Sequence, residues 1–576
     1  MIDKYYQQEL SHLRQLAAEF AAVHPGLAPL LAGQSADPDV ERILEGTAFL
    51  AGLLNEKLDS DFPEILHGLI QLIFPHYLSH IPAATLIQFT PKPSLRQYSI
   101  VKQGTAIDSL ETQGTRCTFT TCQEVELSPI TITNVVFTAP GAGHGLLRID
   151  LSLGGLDLRA SPLKTLRLHL AGVYTEASQR NWLILTHVRD LRLIAPDGTV
   201  IPLGTAALTP VGFKETEALL PYPTRSFPGY RILQEYFALP EKFLFFDVTG
   251  LAALSQHGVG TGFSLEFEFA NLPAAAPPMR REHFQLFVTP ALNLFPHHTD
   301  PLLLDHRRPD YLLRPSGANP RHYQIHSVTK VTGFIQGGVS QRDYLPFEHF
   351  NPQAEAKPVY ALHHRLAPIG GQAELYLSVA DPGAQGVPKP ETLSIEALCS
   401  NAALPETLRA GDIRMPTESS PILADFANLS SPTAQVQPPL GKNVLWRLLS
   451  HVFLNYQSLA AAENLRAMLK LYIFQETRNR EAVLANTKRI EAIDSLDLRA
   501  ADRFLQGYLL RGQEINIQLR LAGFIGEGDL FLFGSILDVF LGNYAAINSF
   551  TKMTVEDTNR KLRFTWPARL GDRVLL

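Results

Sequence analysis

YYQQEL (Tyr5–Leu10), EFAAVHPGLAPLL (Glu19–Leu31), DPDVERILEGTAFL (Asp37–Leu50) and KLDSDFPEILHGLIQLIFPHYLSHIPA (Lys57–Ala83) follow one another through the first ninety residues. Their apolar spacing is helical. Tyr6, Leu10, Leu13, Ala17 and Phe20 step by 4, 3, 4 and 3, as do Val40, Leu44, Thr47, Ala51 and Leu54. Such spacing puts one stripe on one face of each helix. Pro25 stops the first helix. Asp37 suits an N-cap with Pro38 at the first helical position, and Asp39 and Glu41 stand where the helix dipole favours anions. Pro63 opens a third helix. Leu66, Leu69, Ile70, Leu72, Ile73 and Phe74 leave that helix little polar face, so it is expected to be buried. The spacing predicts a helical bundle over residues 1–83. Its stripes pack on each other, or one is kept for another chain. Leu44, Thr47, Ala51 and Leu54, with Asp39 and Glu41 beside them, are the candidate partner surface.

Charge is uneven along the 576 residues. The net charge is −6; residues 1–80 carry −7 and residues 441–576 carry +4. No segment has the basic excess of a nucleic-acid footprint, so no nucleic acid is expected as a partner. An acidic start and a mildly basic end suit charge-matched protein contacts, or simply a solvated acidic face. Three cysteines, Cys117, Cys122 and Cys399, are too few for a disulfide framework and fit a reducing cytosol. MIDKYYQQEL has no apolar signal core. LFLFGSILDVFLGNYAAI (Leu530–Ile547) is the stretch most like a membrane span, but it holds Asp538 and Asn543. An aspartate at a helix centre costs about 3 kcal/mol for insertion, so a buried helix is expected.

Proline divides the chain. Pro439 is followed by 127 residues without another. PTAQVQPPLGK (Pro432–Lys442) reads as a linker. Before it, short alternating runs such as TLIQFTP, ITITNVVFT and GFSLEFEFA lie between turn residues and read as strands. Asp197-Gly198 signals a hairpin. NLPAAAPPMRRE (Asn271–Glu282) separates two β-rich domains in this reading, at 84–275 and 276–435, both sandwich-like. Residues 440–576 read as a carboxy-terminal α+β domain. Leu445, Leu449, Val452, Tyr456 and Leu459 step helically, Leu465, Leu469 and Tyr472 extend a second helix, and EINIQLRL (Glu514–Leu521) alternates as a strand. Phe531, Phe533, Phe540 and Tyr544 suit a core or an interface centre. That domain is expected to fold alone and to contact another subunit. The fold class is α+β and multidomain.

A search for reaction chemistry returns little. His297-His298 and His363-His364 lack a helical HExxH partner or paired cysteine ligands. His306, Arg307, Arg308, Asp310 and Tyr311 read as a loop ion-pair group or, less simply, a phosphate site. The sequence holds no Walker A loop, no dinucleotide-binding glycine fingerprint and no GxSxG elbow. Catalytic, cofactor and metal residues are therefore expected to be none. The best hidden candidates are His297, His298, His306 and Asp310. Two other classes stay open on the residues alone: a cytosolic enzyme with its site in the β-rich middle, and a phage-type tail protein that touches DNA.

The four opening strings, in this order, resemble the TssF family of type VI secretion baseplate proteins, also called ImpG/VasA. WRLLSHVFLNYQSL (Trp446–Leu459), GDLFLFGSILDVFLGNYAAINSFTKM (Gly528–Met553) and GTAIDSLETQGTRCTFTT (Gly104–Thr121) are similar too. The resemblance implies a structural wedge subunit with a fold similar to contractile-phage baseplate wedge proteins. It implies two copies assembled with one TssG, carrying TssK and TssE around the VgrG hub, as the platform for tube and sheath. It implies docking on the inner-membrane secretion complex from the cytoplasmic side, with no small-molecule substrate.

Overall fold

The structure is a computed structural model. It describes residues 2–23, 39, 41–53, 70–71, 74–141, 143–154, 163–222, 226–256, 260–273, 275–317, 319–335, 341–347, 357–366, 373–381, 390–440, 461–473, 480–505, 508–559 and 562–571. The Asp37–Pro38 helix start, most of the helix expected from Pro63 and the helical stripe Leu445–Leu459 lie outside these; of the expected Pro63 helix, Ile70 and Gln71 are helical, Ile70 is fully buried, and Phe74 is buried but not helical.

The Ile2–Val23 helix pairs with a helix over residues 41–53. Arg14 meets Glu41, while Tyr6 lies against Gly52, so the two run antiparallel. A Cβ at Gly52 would stand 3.0 Å from the Tyr6 backbone nitrogen, so only glycine allows this approach without a shift. Leu10 and Ala48 are buried in the seam. Thr47, placed on the packing stripe by its spacing, is exposed, and Ala48 takes the inner position. A small side chain lets the helices close.

Three β-rich units follow, and their boundaries differ from the expected ones. A six-stranded sheet runs Ile413–Met415, Ala106–Ser109, Thr118–Thr121, Val288–Leu292, Ala84–Pro91, Ala424–Asn428. Its fifth strand, Ala84–Pro91, pairs antiparallel on both sides, Ala84 with Leu292 and Ile87 with Asn428. Segments from both sides of the 275/276 boundary thus share one sheet. NLPAAAPPMRRE does not separate two domains. Phe284–Gln285 completes a four-stranded sheet with Thr165–Leu170, and Phe287, at φ +58, redirects the chain into the six-stranded sheet.

Inserted in that sheet, residues 131–272 build an all-antiparallel five-stranded sheet and most of the four-stranded one. Leu147, Ile149, Leu193 and Phe267 from one pack in the same core as Leu168, Phe246 and Val248 from the other. The expected hairpin is present: Val188–Ile194 pairs with Val200–Pro202 and Gly198 sits at φ +85. Two helices that strand patterning did not anticipate, Tyr174–His187 and Gly229–Ala238, lie in this part. Residues 295–400 form an eight-stranded sheet around a core that includes Val331, Leu377 and Ile395.

The carboxy-terminal part adds helices Ala462–Leu471 and Arg480–Glu491 and a sheet of Ile493–Leu505, Tyr508–Leu519, Phe550–Asp557 and Arg563–Thr565. Tyr508–Leu519 runs parallel to Phe550–Asp557, and the Glu527–Gly542 helix crosses between them. That helix is buried, as expected. Asp538 is paired with Arg569 and Asp529 with Arg489, so its charges are compensated inside protein. Among the described residues no helix is long and apolar enough to cross a membrane. The helix packs on Tyr174–His187 so closely that a Cβ at Gly528 would lie 2.4 Å from Ser178 O. Leu530, Phe533, Ile536 and Phe540 belong to the same core as Trp182, Ile232 and Phe267. The expectation of a self-contained 440–576 domain is corrected here: its core is continuous with the 131–272 insert.

Candidate functional site

The amino-terminal hairpin carries the clearest candidate surface for an interaction. Two helices can bury only the residues between them. Leu16, Phe20 and Val23, spaced 4 and 3 on one face, are 45%, 48% and 73% exposed; Ile43 and Leu50, two turns apart, are 67% and 63% exposed. Phe49 is 47% exposed. Scattered apolar exposure is ordinary, but this many residues on one hairpin is a patch of the kind that meets another protein. Of the residues expected there, Leu44 and Ala51 are half-buried in the hairpin and Leu54 lies outside the described residues. Thr47 donates to Ile43 O at 2.7 Å. Asp39 is exposed, 3.3 Å from Arg42, and Glu41 pairs with Arg14. The stripe chosen from spacing is mostly the inner seam. Leu16, Ile43, Phe49 and Leu50 lie off it, and their apolarity on the opposite face was the signal for the patch.

The aromatic run of the Glu527–Gly542 helix lies elsewhere than at a surface. Phe533 and Phe540 have no exposure. Phe533 packs 5.9 Å from Tyr236, and Phe540 5.8 Å from Tyr230. Phe531 stacks on Trp566 at 5.7 Å, and Tyr544 meets Tyr230 through a 2.9 Å hydroxyl contact. As interface candidates these four are corrected to an internal core that joins the carboxy-terminal part to the Gly229–Ala238 helix.

The hidden catalytic candidates do not converge on a reaction centre. His297 stacks on Tyr323 at 4.8 Å, with its Nε2 2.8 Å from Ser316 O. His298 is exposed, and His306 sits at φ +54 in an exposed turn. Asp310 pairs with Arg365 at 2.7 Å, while Tyr311 donates to Asp305 at 2.7 Å. Of the group read as a loop ion-pair cluster, Asp310 forms an ion pair, and its partner is on strand Val359–Leu366. His363 is 2.9 Å from Ser378 Oγ across a strand pair. Cys117, Cys122 and Cys399 are buried, and burial pushes each thiol up to about 12, which leaves them unreactive. Among the described residues no three His, Cys, Asp or Glu side chains are placed to hold a metal ion.

Several interleaved sheets, a core shared by the 131–272 insert and the carboxy-terminal part, and an exposed apolar helical hairpin define a multi-sheet α+β protein. The comparisons give it a family. The family described as type VI secretion system, TssF, matches residues 1–573. The type VI secretion system component TssF1 of Pseudomonas aeruginosa is 30% identical over 621 residues, covering 99% of this chain and 98% of its own length. A chain in the cryo-electron-microscopy structure of the type VI secretion system TssK-TssF-TssG baseplate subcomplex is 28% identical with a TM-score of 0.75, over 92% of this chain and 99% of that one. A chain of the type VI secretion baseplate complex, at 24% identity and TM-score 0.61 over the whole of both, shares the fold. The protein belongs to the TssF family of type VI secretion components.

Proposed function

We propose that the chain is a structural wedge subunit of the type VI secretion baseplate that works by binding partners and catalyses nothing. The observation that carries this is the match, at TM-score 0.75 over nearly the whole chain, to a solved TssK-TssF-TssG baseplate subcomplex. TssG and TssK are therefore the first partners to test. In the fuller reading two copies assemble with one TssG. The wedge carries TssE, surrounds the VgrG hub and docks in the cytoplasm on the inner-membrane complex. The amino-terminal hairpin, apolar outside and acidic overall, supplies the surface for a partner helix, because an amphipathic helix that lays its apolar face on an exposed apolar patch buries both. Binding energy spread over large interfaces holds the platform together and transmits its rearrangement.

The test is co-purification with TssG from the same genome, followed by native mass measurement. Two copies of this chain per TssG are expected, and TssK joins when added. A stable one-to-one complex overturns the copy number. Failure of both full-length chains to associate overturns the wedge reading.

A further inference from the structure

Four imidazoles gather where three parts of the fold meet. His76 sits on the short Pro75–Leu78 helix and His80 just after it; His326 and His364 lie on strands Gln324–Ile335 and Val359–Leu366 of the eight-stranded sheet. They line a cleft of about 460 Å³ that Tyr222 and Gln234 close from the Gly229–Ala238 side. His76 and His80 are buried. His80 and His326 stand edge to face, with ring centroids 5.2 Å apart.

His326 is aimed into the cleft by a β-bulge. Ile325 pairs with Cys399 and Ser327 with Leu398, which leaves His326 as the extra residue. Bulges of this kind re-aim a side chain. His80 has a defined tautomer. Its Nε2 lies 2.9 Å from Ser400 Oγ, whose single proton goes to Gln435 Oε1 at 3.2 Å, so Nε2 must be the donor. Gln435 in turn donates to Gln324 at 2.6 Å. The chain His80–Ser400–Gln435–Gln324 thus ties the amino-terminal segment and the linker to the eight-stranded sheet, and leaves His80 Nδ1 as the atom that can take a proton. Nδ1 of His76 and of His326 have no hydrogen-bond partner among the described residues.

Among the described residues no Asp, Glu, Lys or Arg lines the cleft. The charged groups on the elements packed against it are committed elsewhere: Glu235 to Lys242, Arg231 to Glu215 O, Arg365 to Asp310, Lys330 to Asp343. Glu374 lines a small adjoining space with His80, His326 and His364, and accepts from Tyr376 at 3.0 Å. Among the described residues, then, a proton arriving at His76, His80 or His326 meets no counter-charge inside the cleft, with Glu374 held in the adjoining space, and a second proton is repelled by the first.

We propose that this cleft is a proton-operated joint: acidification charges its histidines and releases the eight-stranded sheet from the amino-terminal segment and the linker. The inference is independent of which partners the chain binds. Burial holds His76 down to about 3 and His326 to about 4, and it also lowers His80, where His326 and His364 add repulsion. The open joint binds protons near 6.5. A group depressed in the closed state contributes stability above 6.5 and loses it as pH falls toward the depressed value. The opening equilibrium rises up to tenfold per pH unit for each histidine, and so by up to about a thousandfold for three acting together.

The test uses the full chain. Protein is labelled with deuterium at pH 7.5 and at pH 5.0, read by peptide mass, and each exchange rate is divided by the intrinsic rate of an open chain at that pH. Strands Gln324–Ile335 and Glu391–Ser400 are expected to gain at least tenfold in exchange at pH 5.0, while Gly143–Ser152 and Gly262–Leu272 do not. In H76Q/H80Q/H326Q the gain should fall below threefold, with exchange at pH 7.5 unchanged. If the triple variant does not fold, H326Q alone should reduce the gain. An equal gain in the variants, or a gain spread evenly over all strands, overturns the proposal.

Discussion

Arg489 and Asp529 lie side by side in the interior, Nε to Oδ2 at 3.0 Å, with side chains 7% and 1% exposed. Tyr174 donates to the other carboxylate oxygen at 2.8 Å, and Asn486 accepts from Arg489 at 2.6 Å. One ion pair therefore links the Arg480–Glu491 helix, the Glu527–Gly542 helix and the Tyr174–His187 helix. Both charges carry further hydrogen bonds, which is the condition under which a buried pair is tolerated.

Asp529→Ala should destabilise the chain by about 3–5 kcal/mol, because it strands the Arg489 guanidinium in the core. Arg489→Met with Asp529→Leu should recover most of that loss, since apolar residues of similar volume often replace a buried pair at little cost. Urea midpoints of the three proteins check both. A loss under 1 kcal/mol for the single variant would show that the pair is solvated.

The same contacts bear on the fragment 441–576. In isolation Phe533 and Phe540 lose Tyr236 and Tyr230, Asp529 loses Tyr174, and Gly528 loses the Ser178 backbone. Fully exposing two phenylalanines alone forfeits about 3–6 kcal/mol, comparable to the whole stability of a small domain. The fragment should show a weak near-ultraviolet signal and no cooperative urea transition. A sharp transition would restore the independent domain expected from the proline-free span.

Much of the local structure was legible in the sequence and much of the global structure was not. The spacing of Leu10, Leu13 and Ala17, the Asp197-Gly198 turn and the alternation of EINIQLRL each depend on near neighbours, and each is present. The Tyr174–His187 helix was missed because Arg180 and Asn181 interrupt its apolar face. Both are buried, Arg180 satisfied by Pro278 O at 2.9 Å and by Glu176. No periodicity reports that a charged residue has an interior partner. Sheet closure is less legible still, since the pairing of Ala84–Pro91 with strands about 200 and 340 residues away is set by register. The aromatics of the Glu527–Gly542 helix look the same whether they face their own chain or another. For His326, alternation alone gives no register, so its bulge could not be seen.

Changing His297 and His298 to alanine should leave secretion near normal, or reduce it only in step with lost wedge assembly. The variant gives up the Tyr323 stack and the contact to Ser316 O, worth about 1–2 kcal/mol together. Elemental analysis of the purified wild type should find no stoichiometric zinc or iron. Secretion abolished with the wedge, tube and sheath assembled at full yield would mean that this loop acts chemically.

The hairpin prediction separates folding from binding. Leu16 and Leu50 are 45% and 63% exposed, so Leu16→Asp with Leu50→Asp puts charges on a wet surface and should change stability by about 0.5 kcal/mol or less per site. If the patch is covered by a partner in the wedge, the same charges are buried there without compensation, at several kcal/mol each, and each 1.4 kcal/mol is tenfold in affinity. TssG recovery should fall by at least a hundredfold while the urea midpoint of the isolated chain holds. The contrasting Leu10→Asp strikes the buried seam and should unfold the hairpin itself. Undiminished TssG binding by the folded Leu16→Asp/Leu50→Asp protein would remove the hairpin from the list of partner surfaces and move the search to the sheets.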